Sequence, residues 1–392
     1  MIVSGEASGD LHGGALAEAL FSRKRPVEIV GFGGKAMRAA GVDVRFDIKK
    51  LGIVGIIEVF FQFRVLFEAY RTAVRLLEDA VDLLVLIDFS GFNLRIAKAA
   101  NRLGIPVVYY VSPQVWAWRS GRVKTIAKRV DKMLVILPFE KPVYDAARVP
   151  CEFVGHPLLD EFERERRKQP SNTDEKPVEK TPVIALLPGS RSREVVSLLP
   201  DMLAGVEKLL PEFPALQVLI PVANSLSDDL IPRLTASVPF PVTLIKGTVY
   251  DALLNADVAV VASGTATLQG ALAGTPMVVV YKVSWLSYGL AKLLVRIKWV
   301  SMVNIVAGKT MVSELIQSDC TPEAIAKEAG RLLRDDNARE AMRRDLSKVA
   351  ERLGKPGASE RAAAAIFDIL DRHLQKKRRA SDKPAAEARG AA

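Results

Sequence analysis

Two α/β domains, each a parallel sheet wrapped by helices, form the fold class that the sequence predicts. Three observations lead there. Short runs of Val, Ile and Leu alternate with amphipathic stretches, the grammar of βαβ units. A charged, Pro-containing run at 161–182 breaks that grammar, which then restarts. The 392 residues, 49% hydrophobic and 26% charged, supply core for two or three domains and exclude a disordered chain.

In the first half, 27–30, 83–87, 107–111 and 133–137 read as strands buried on both faces, with helices such as 11–22 and 92–103 between them. This first domain is expected over 1–162, and a flexible linker over 163–182. A second domain follows over 183–353. Its strands are expected at 183–187, 218–220, 242–245, 258–261 and 277–280, and helix from 322 to about 353. A C-terminal helix is expected within 354–375, at 359–374, and a disordered basic tail at 376–392. Two such domains leave a cleft between the carboxyl ends of their sheets, where ligands of open α/β sheets bind. Chemistry is therefore sought just after strands.

Composition narrows the partners. The chain carries 55 Lys and Arg against 45 Asp and Glu, a net charge of +10. Residues 281–313 hold five of the basic residues and no acid. With a mean hydropathy of +0.16, an anionic membrane or an anionic substrate is favoured over nucleic acid. Two cysteines, Cys151 and Cys320, argue against a disulfide framework, and three histidines without a Cys/His cluster argue against structural zinc. No signal peptide is expected, because Met1-Ile2-Val3 leads straight into Ser4-Gly5-Glu6. The most apolar window, 283–300, contains Lys292, Arg296 and Lys298 and is not a membrane span. It reads as a buried helix or as one lying in a membrane interface.

Four strand-end turns carry candidate chemistry. Gly5-Glu6-Ala7-Ser8-Gly9-Asp10 follows the first strand and reads as a polar-ligand loop or an ordinary βα turn. It lacks the G-x-G-x-x-G spacing, as does Gly31-Phe32-Gly33-Gly34, so no dinucleotide site is indicated. Asp88 closes the apolar run Leu83-Leu84-Val85-Leu86-Ile87. Partial desolvation there raises a carboxylate towards the range of a general base; a helix N-cap is the alternative. Pro188-Gly189-Ser190-Arg191 and Ala262-Ser263-Gly264-Thr265-Ala266-Thr267 offer small residues, hydroxyls and backbone N–H groups at helix starts. Two such turns in one domain, one with an arginine, suit a diphosphate. Phe60, Phe61, Phe63 and Phe67 cluster at 53–70, as core or as an acyl-binding or membrane surface. His156, alone near the domain junction, reads as structural.

At these residues the chain resembles the lipid-A-disaccharide synthase family over nearly its whole length. The carrying motifs are Ser4 to Asp10, Gly52-Ile53-Val54-Gly55-Ile56-Ile57-Glu58-Val59, Tyr110-Val111-Ser112-Pro113-Gln114-Val115-Trp116-Ala117-Trp118-Arg119 and Pro138-Phe139-Glu140-Lys141. Leu186 to Arg191, Ala262 to Leu268 and Asn304-Ile305-Val306-Ala307-Gly308-Lys309 complete the set. The resemblance implies two Rossmann-like domains facing a central cleft, the B-type glycosyltransferase fold. It implies transfer of 2,3-diacylglucosamine from UDP to the 6-hydroxyl of 2,3-diacylglucosamine 1-phosphate, with inversion and without metal or cofactor.

Carried over by residue, Asp88 matches the base and Glu6 the N-terminal loop. Arg191, Ser190, Gly189, Ser263, Gly264, Thr265, Gln269 and Asn304 fall on the donor side, and Ser8, Gly9, Phe60 and Phe61 on the acceptor or lipid side. Gln269 stands where the family usually has Glu, Asp88-Phe89-Ser90-Gly91-Phe92-Asn93 lacks the family's second acid, and Tyr250-Asp251 replaces an Arg-Glu pair. The implied partners are the two lipid substrates and the inner face of the cytoplasmic membrane, with a homodimer allowed and no nucleic acid. A UDP-sugar 2-epimerase-like enzyme on the same fold, or a non-catalytic protein binding nucleotide-sugar lipid, are the alternatives.

Overall fold

A computed structural model describes residues 1–51, 59–116, 121–168, 181–223, 225–283 and 298–389. The chain divides into two units, one of Met1–Pro157 with Lys355–Ala392 and one of Leu158–Gly354.

The first unit holds a seven-stranded sheet. Its strands are β1 (Ile2–Val3), β2 (Val30–Gly33), β3 (Asp43–Asp47), β4 (Leu84–Ile87), β5 (Val107–Tyr110), β6 (Lys132–Val135) and β7 (Cys151–Phe153). They lie in the order β3-β2-β1-β4-β5-β6-β7, and each neighbouring pair is parallel. Every residue of β4 and β5 is buried, as an apolar run covered by helices on both faces requires. The helices Ala7–Phe21, Val59–Ala80 and Ser90–Arg102 are the long elements of Met1–Pro157. The C-terminal helix Ala358–Arg389 returns to this unit. There Arg25 pairs with Asp371 (2.7 Å), and Arg361 Nε donates to the Val154 carbonyl (2.8 Å).

The second unit holds β8 (Val183–Leu187), β9 (Gln217–Pro221), β10 (Val242–Ile245), β11 (Val258–Ala262), β12 (Met277–Tyr281) and β13 (Glu314–Ile316). Their order is β10-β9-β8-β11-β12-β13, again all parallel. Counted within each unit, both sheets begin 3-2-1-4-5-6. The strand order reverses between β1 and β4 in one unit and between β8 and β11 in the other. In open α/β sheets a ligand sits at the carboxyl ends of the strands that flank such a reversal.

Several boundaries differ from expectation. The strand expected at 27–30 lies at Val30–Gly33, because its register is set by Ile2↔Gly31 and Val3↔Phe32. The strands β3, β7 and β13 lie at sheet edges, where no continuous apolar run is needed. Leu158–Lys168, expected to end the first domain and open the linker, is a helix grouped with the second unit. Asp160 and Glu161 in its first turn and Arg166, Arg167 and Lys168 in its last complement the helix dipole. The helical stretch from 322 is two helices, Pro322–Arg334 and Asp336–Arg352, parted at Asp335, whose carboxylate caps Ala338 N (3.0 Å). Residues 376–389, expected to be disordered, continue the C-terminal helix. Their Ala, Lys, Arg and Glu are strong helix formers.

Candidate functional site

In the first unit, Ser4 to Glu6 leave β1 and Asp88 leaves β4, on either side of the strand-order reversal. Asp88 and Phe89 both have positive φ, 51° and 42°. Two successive non-glycine residues in that region are strained and must be held by their surroundings. Asn93 Nδ2 donates to the carbonyls of Ile87 (3.0 Å) and Asp88 (2.8 Å), and the Tyr109 hydroxyl also donates to the Asp88 carbonyl. Gly5 leaves room for the Phe89 ring; a Cβ there would stand 2.3 Å from Phe89 Cγ. The backbone bonds thus leave the Asp88 carboxylate uncommitted to capping. Burial first, and the charge of Glu6 second, push the Asp88 carboxyl up to about 6.

The rest of the N-terminal loop divides. Glu6 and Ser8 are exposed. Gly9 is buried, its missing Cβ 3.1 Å from Ser4 Cβ and 3.5 Å from Ile87 Cγ2, so its lack of a side chain serves close packing. Asp10 also leaves the polar-ligand reading. It is buried, and its carboxylate accepts the N–H groups of Gly34 (2.6 Å), Ala36 (2.9 Å) and Met37 (3.2 Å). Phe60 and Phe61 open the helix Val59–Ala80, and their side chains lie outside the described residues.

Three further titratable groups shifted by burial lie in this unit, none of them expected from sequence to be catalytic. Glu140, in the turn after β6, is 2% exposed and is pushed up to about 8 by burial. In the sequence it stands within the motif Pro138-Phe139-Glu140-Lys141, with no role assigned to it. His12 and His156 are held neutral, at about 4 and about 3, again by burial.

In the second unit, the turns after β8 and β11 flank the matching reversal. Gly189 has φ +109°, and a Cβ there would meet Glu194 Oε2 at 2.5 Å. Ser190 is exposed, and its carbonyl accepts the Ser225 hydroxyl (2.6 Å). Arg191 stands at the N-cap of the helix Ser192–Glu207, its side chain 78% exposed and paired with Glu194 (2.7 Å). After β11, Gly264 has φ +150°, and a Cβ there would meet no atom within 4 Å, so the turn opens outward. Exposed Thr265 then begins the helix Thr265–Ala273. The turn is held from behind: Ser263 Oγ donates to the Val300 carbonyl (2.9 Å) and Thr267 Oγ to the Gly264 carbonyl (2.8 Å). The Ser263 proton is therefore in use, and a helix start leaves its first backbone N–H groups without an intrahelical partner.

Two donor-side expectations change. Asn304 is fully buried and its amide is saturated. Nδ2 donates to the Val312 carbonyl (3.0 Å) and Glu314 Oε1 (2.9 Å), while Oδ1 accepts Met311 N (2.9 Å) and Val312 N (3.1 Å). It fixes the 304–314 loop and offers nothing to a ligand. Gln269 Nε2 donates to Glu161 Oε1 (3.2 Å) in the helix Leu158–Lys168, so its amide is engaged within the unit. Among the described residues, no group of three or more His, Cys, Asp or Glu is placed to hold a metal ion.

The family model for lipid-A-disaccharide synthetase matches residues 1–368. The lipid-A-disaccharide synthase of Trichlorobacter lovleyi is 43% identical over 372 residues, 95% of this chain and 97% of that protein. That of Geobacter metallireducens is 44% identical over 372 residues, covering 94% and 97%. Among solved structures, the UDP-GlcNAc 2-epimerase of Neisseria meningitidis superposes with a TM-score of 0.62 at 13% identity, over 94% of this chain and 99% of that one. The calicheamicin glycosyltransferase CalG4 gives 0.60 at 17% identity, over 94% and 97%. At such identities these neighbours speak to fold alone, the B-type glycosyltransferase fold that epimerases share. The chain belongs to the lipid-A-disaccharide synthase family; it is a glycosyltransferase of lipid A biosynthesis, acting on nucleotide-sugar and lipid substrates.

Proposed function

We propose that Asp88 is the general base of this synthase and that the turns at 188–191 and 263–265 take the donor's diphosphate. The donor is UDP-2,3-diacylglucosamine and the acceptor 2,3-diacylglucosamine 1-phosphate. Asp88 removes the proton from the acceptor's 6-hydroxyl. That oxygen attacks the anomeric carbon from the face opposite UDP. The bond to the β-phosphate oxygen breaks with its electron pair, and the centre inverts in a single displacement. Arg191 and the backbone N–H groups at the start of the helix Thr265–Ala273 meet the charge that develops on UDP.

The observation that carries this reading is Asp88 itself. It is an acid at a strand-order reversal, on a strained backbone, raised to about 6 by burial and by Glu6. A base with that value is ionised at neutral pH and still basic enough to accept a proton. Glu6 acts through its charge on Asp88. The test is UDP release from the two lipid substrates. Release is expected only with both present, and its rate should fall as pH drops through about 6, where Asp88 gains a proton. UDP release from the donor alone, or a rate indifferent to pH between 5 and 7, would overturn the reading.

The same proposal places the enzyme on the inner face of the cytoplasmic membrane, where diacylated substrates lie. Among the described residues no helix is long and apolar enough to cross a membrane. Support comes from the helix Val59–Ala80, where Phe67 is 62% exposed and the Arg71 guanidinium lies 5.9 Å from its ring centroid. Arg64 and Arg75 line the same shallow depression. Basic side chains near an anionic leaflet contribute about 1 kcal/mol each. Of the second expected contact, 285–299, residues 285–297 lie outside the described residues. Lys298 stacks over Trp299 (5.1 Å), whose indole donates to Thr310 (2.8 Å). Replacing Lys292, Arg296 and Lys298 together by Glu should weaken co-sedimentation with anionic vesicles at low salt. Pelleting equal to the parent would remove 285–299 from the contact.

A further inference from the structure

Glu140 has no part in the chemistry above, yet it is among the most deeply buried acids of the first unit. Its two carboxyl oxygens are directed at two different elements. Oε2 accepts Leu137 N (3.2 Å), closing the turn Pro138–Glu140 that follows β6. Oε1 accepts the Trp116 indole N–H (3.2 Å), in the loop that follows β5. The Trp116 ring also stands edge-on to Phe139, 5.0 Å between centroids at 86°. The same loop is tied down again by Ser112, whose hydroxyl meets Tyr144 Oη (2.7 Å).

That loop leaves its strand under strain. Val111, a β-branched residue, has φ 63°. It directly follows Tyr110, which is the register partner of Ile87, the residue before Asp88. Strained backbone therefore sits at two neighbouring strand ends, β4 and β5. The β4 end is held by Asn93 and Tyr109. The outer part of the β5 loop is held by Glu140.

We propose that Glu140 is a positioning residue of this enzyme: through the Trp116 indole it fixes the 112–116 loop at the strand end next to the base Asp88. The inference rests on the reading of Asp88 as base. It assigns to Glu140 an effect on turnover, exerted through Trp116, and no contact with substrate.

Electrostatics supports a neutral Glu140 in this role. Burial is the largest cause of its raised value, about 8, and the Asp88 charge adds to it. Asp88 ionises first, near 6, and its charge then helps to keep the proton on Glu140. The other titratable groups facing Glu140 are Tyr144, from the helix Lys141–Ala146, and Cys151 of β7. Burial raises both, Cys151 to about 12, so both remain uncharged near neutrality. The Leu137 N–H and the Trp116 indole N–H pull the other way and favour the charged form, so both contacts hold in either protonation state.

Three variants of the full chain test this, with UDP release measured from pH 5 to 10. Trp116→Phe keeps the ring and removes the N–H donor; kcat should fall about tenfold with UDP affinity little changed. Glu140→Ala should fall at least as far, and adding Trp116→Phe to it should cost nothing more, because both remove one contact. Glu140→Gln keeps an oxygen for the indole. It should recover part of the Ala loss, in kcat and not in UDP affinity. Should Glu140→Ala fail to fold, Trp116→Phe and Glu140→Gln still decide. A parent-like kcat for Trp116→Phe, or a Glu140→Gln kcat no better than that of Glu140→Ala, overturns the inference. Either result leaves the base reading intact if the acid limb near pH 6 persists and Asp88→Asn is inactive. Full turnover by Asp88→Asn takes both readings down.

Discussion

The ends of β4 and β11 occupy the same place in two sheets of one topology, and they are built from opposite materials. At the β4 end the left-handed backbone belongs to Asp88 and Phe89, residues that resist it, and a half-buried carboxyl results. At the β11 end the unusual backbone belongs to Gly264, which adopts it freely, and the turn opens to solvent. On the proposal above, desolvation suits the first to accept a proton and the helix start suits the second to meet an anion. One topology thus yields two different strand ends by changing a few residues after a strand.

The sharpest way to break this contrast is Asp88→Asn. It preserves shape and the backbone bonds but cannot accept a proton, and kcat should fall by about 10²–10⁴, read as UDP release at pH 7.5. Near-parental kcat would make the β4 end a structural turn. On the other side, Gly264→Val forces a side chain onto φ +150°, a region that is essentially glycine-only. UDP affinity should drop about tenfold or more in calorimetric titration, a loss of about 1–3 kcal/mol from strain. Unchanged affinity would move the diphosphate away from this turn. Arg191→Ala removes an exposed, Glu194-paired cation, and its loss in the same titration should be smaller, about threefold to tenfold.

The smallest effect concerns Gln269. Its hydrogen bond to Glu161 makes Gln269→Glu a meeting of two carboxylates. Glu161 is already raised, chiefly by burial, and a second acid would raise one of the pair further. The variant should therefore unfold at a lower temperature than the parent at pH 8, with the difference narrowing towards pH 5 as the pair takes up a proton. A variant as stable as the parent at pH 8 would mean that the two side chains do not face one another.

Which of these residues could be read from sequence follows from how each one works. Asp88 ends a fully apolar strand, and Gly189, Arg191 and Gly264 follow strands in short small-residue turns. Position along the chain locates them, because a parallel sheet delivers all such turns to one edge. β4, β5, β8, β11 and β12 were legible as continuous apolar runs for the same reason. The edge strands β3, β7 and β13, each only partly buried, carry no such run. Asn304 and Asp10 misled because a polar residue in a motif looks alike whether it faces a ligand or saturates buried backbone. Only the neighbours 26 residues away, for Asp10, or eight and ten away, for Asn304, distinguish the two. Glu140 was not assigned a role because its partner Trp116 stands 24 residues away, in the loop after another strand.

The first unit is interrupted: it takes Met1–Pro157 and then, after the whole second unit, the helix that begins at Ala358. During synthesis, at about 5–20 residues per second, its seven strands wait about 10–40 s for the chain that carries Arg361 and Asp371. The second unit, continuous from Leu158 to Gly354, has no such wait. The segment made first is thus completed last, and until then the faces of Ala7–Phe21 and of Val154 that will meet the returning helix stand uncovered. A nascent chain stalled or cut before residue 355 would leave those faces open, in a form that chaperones and proteases recognise.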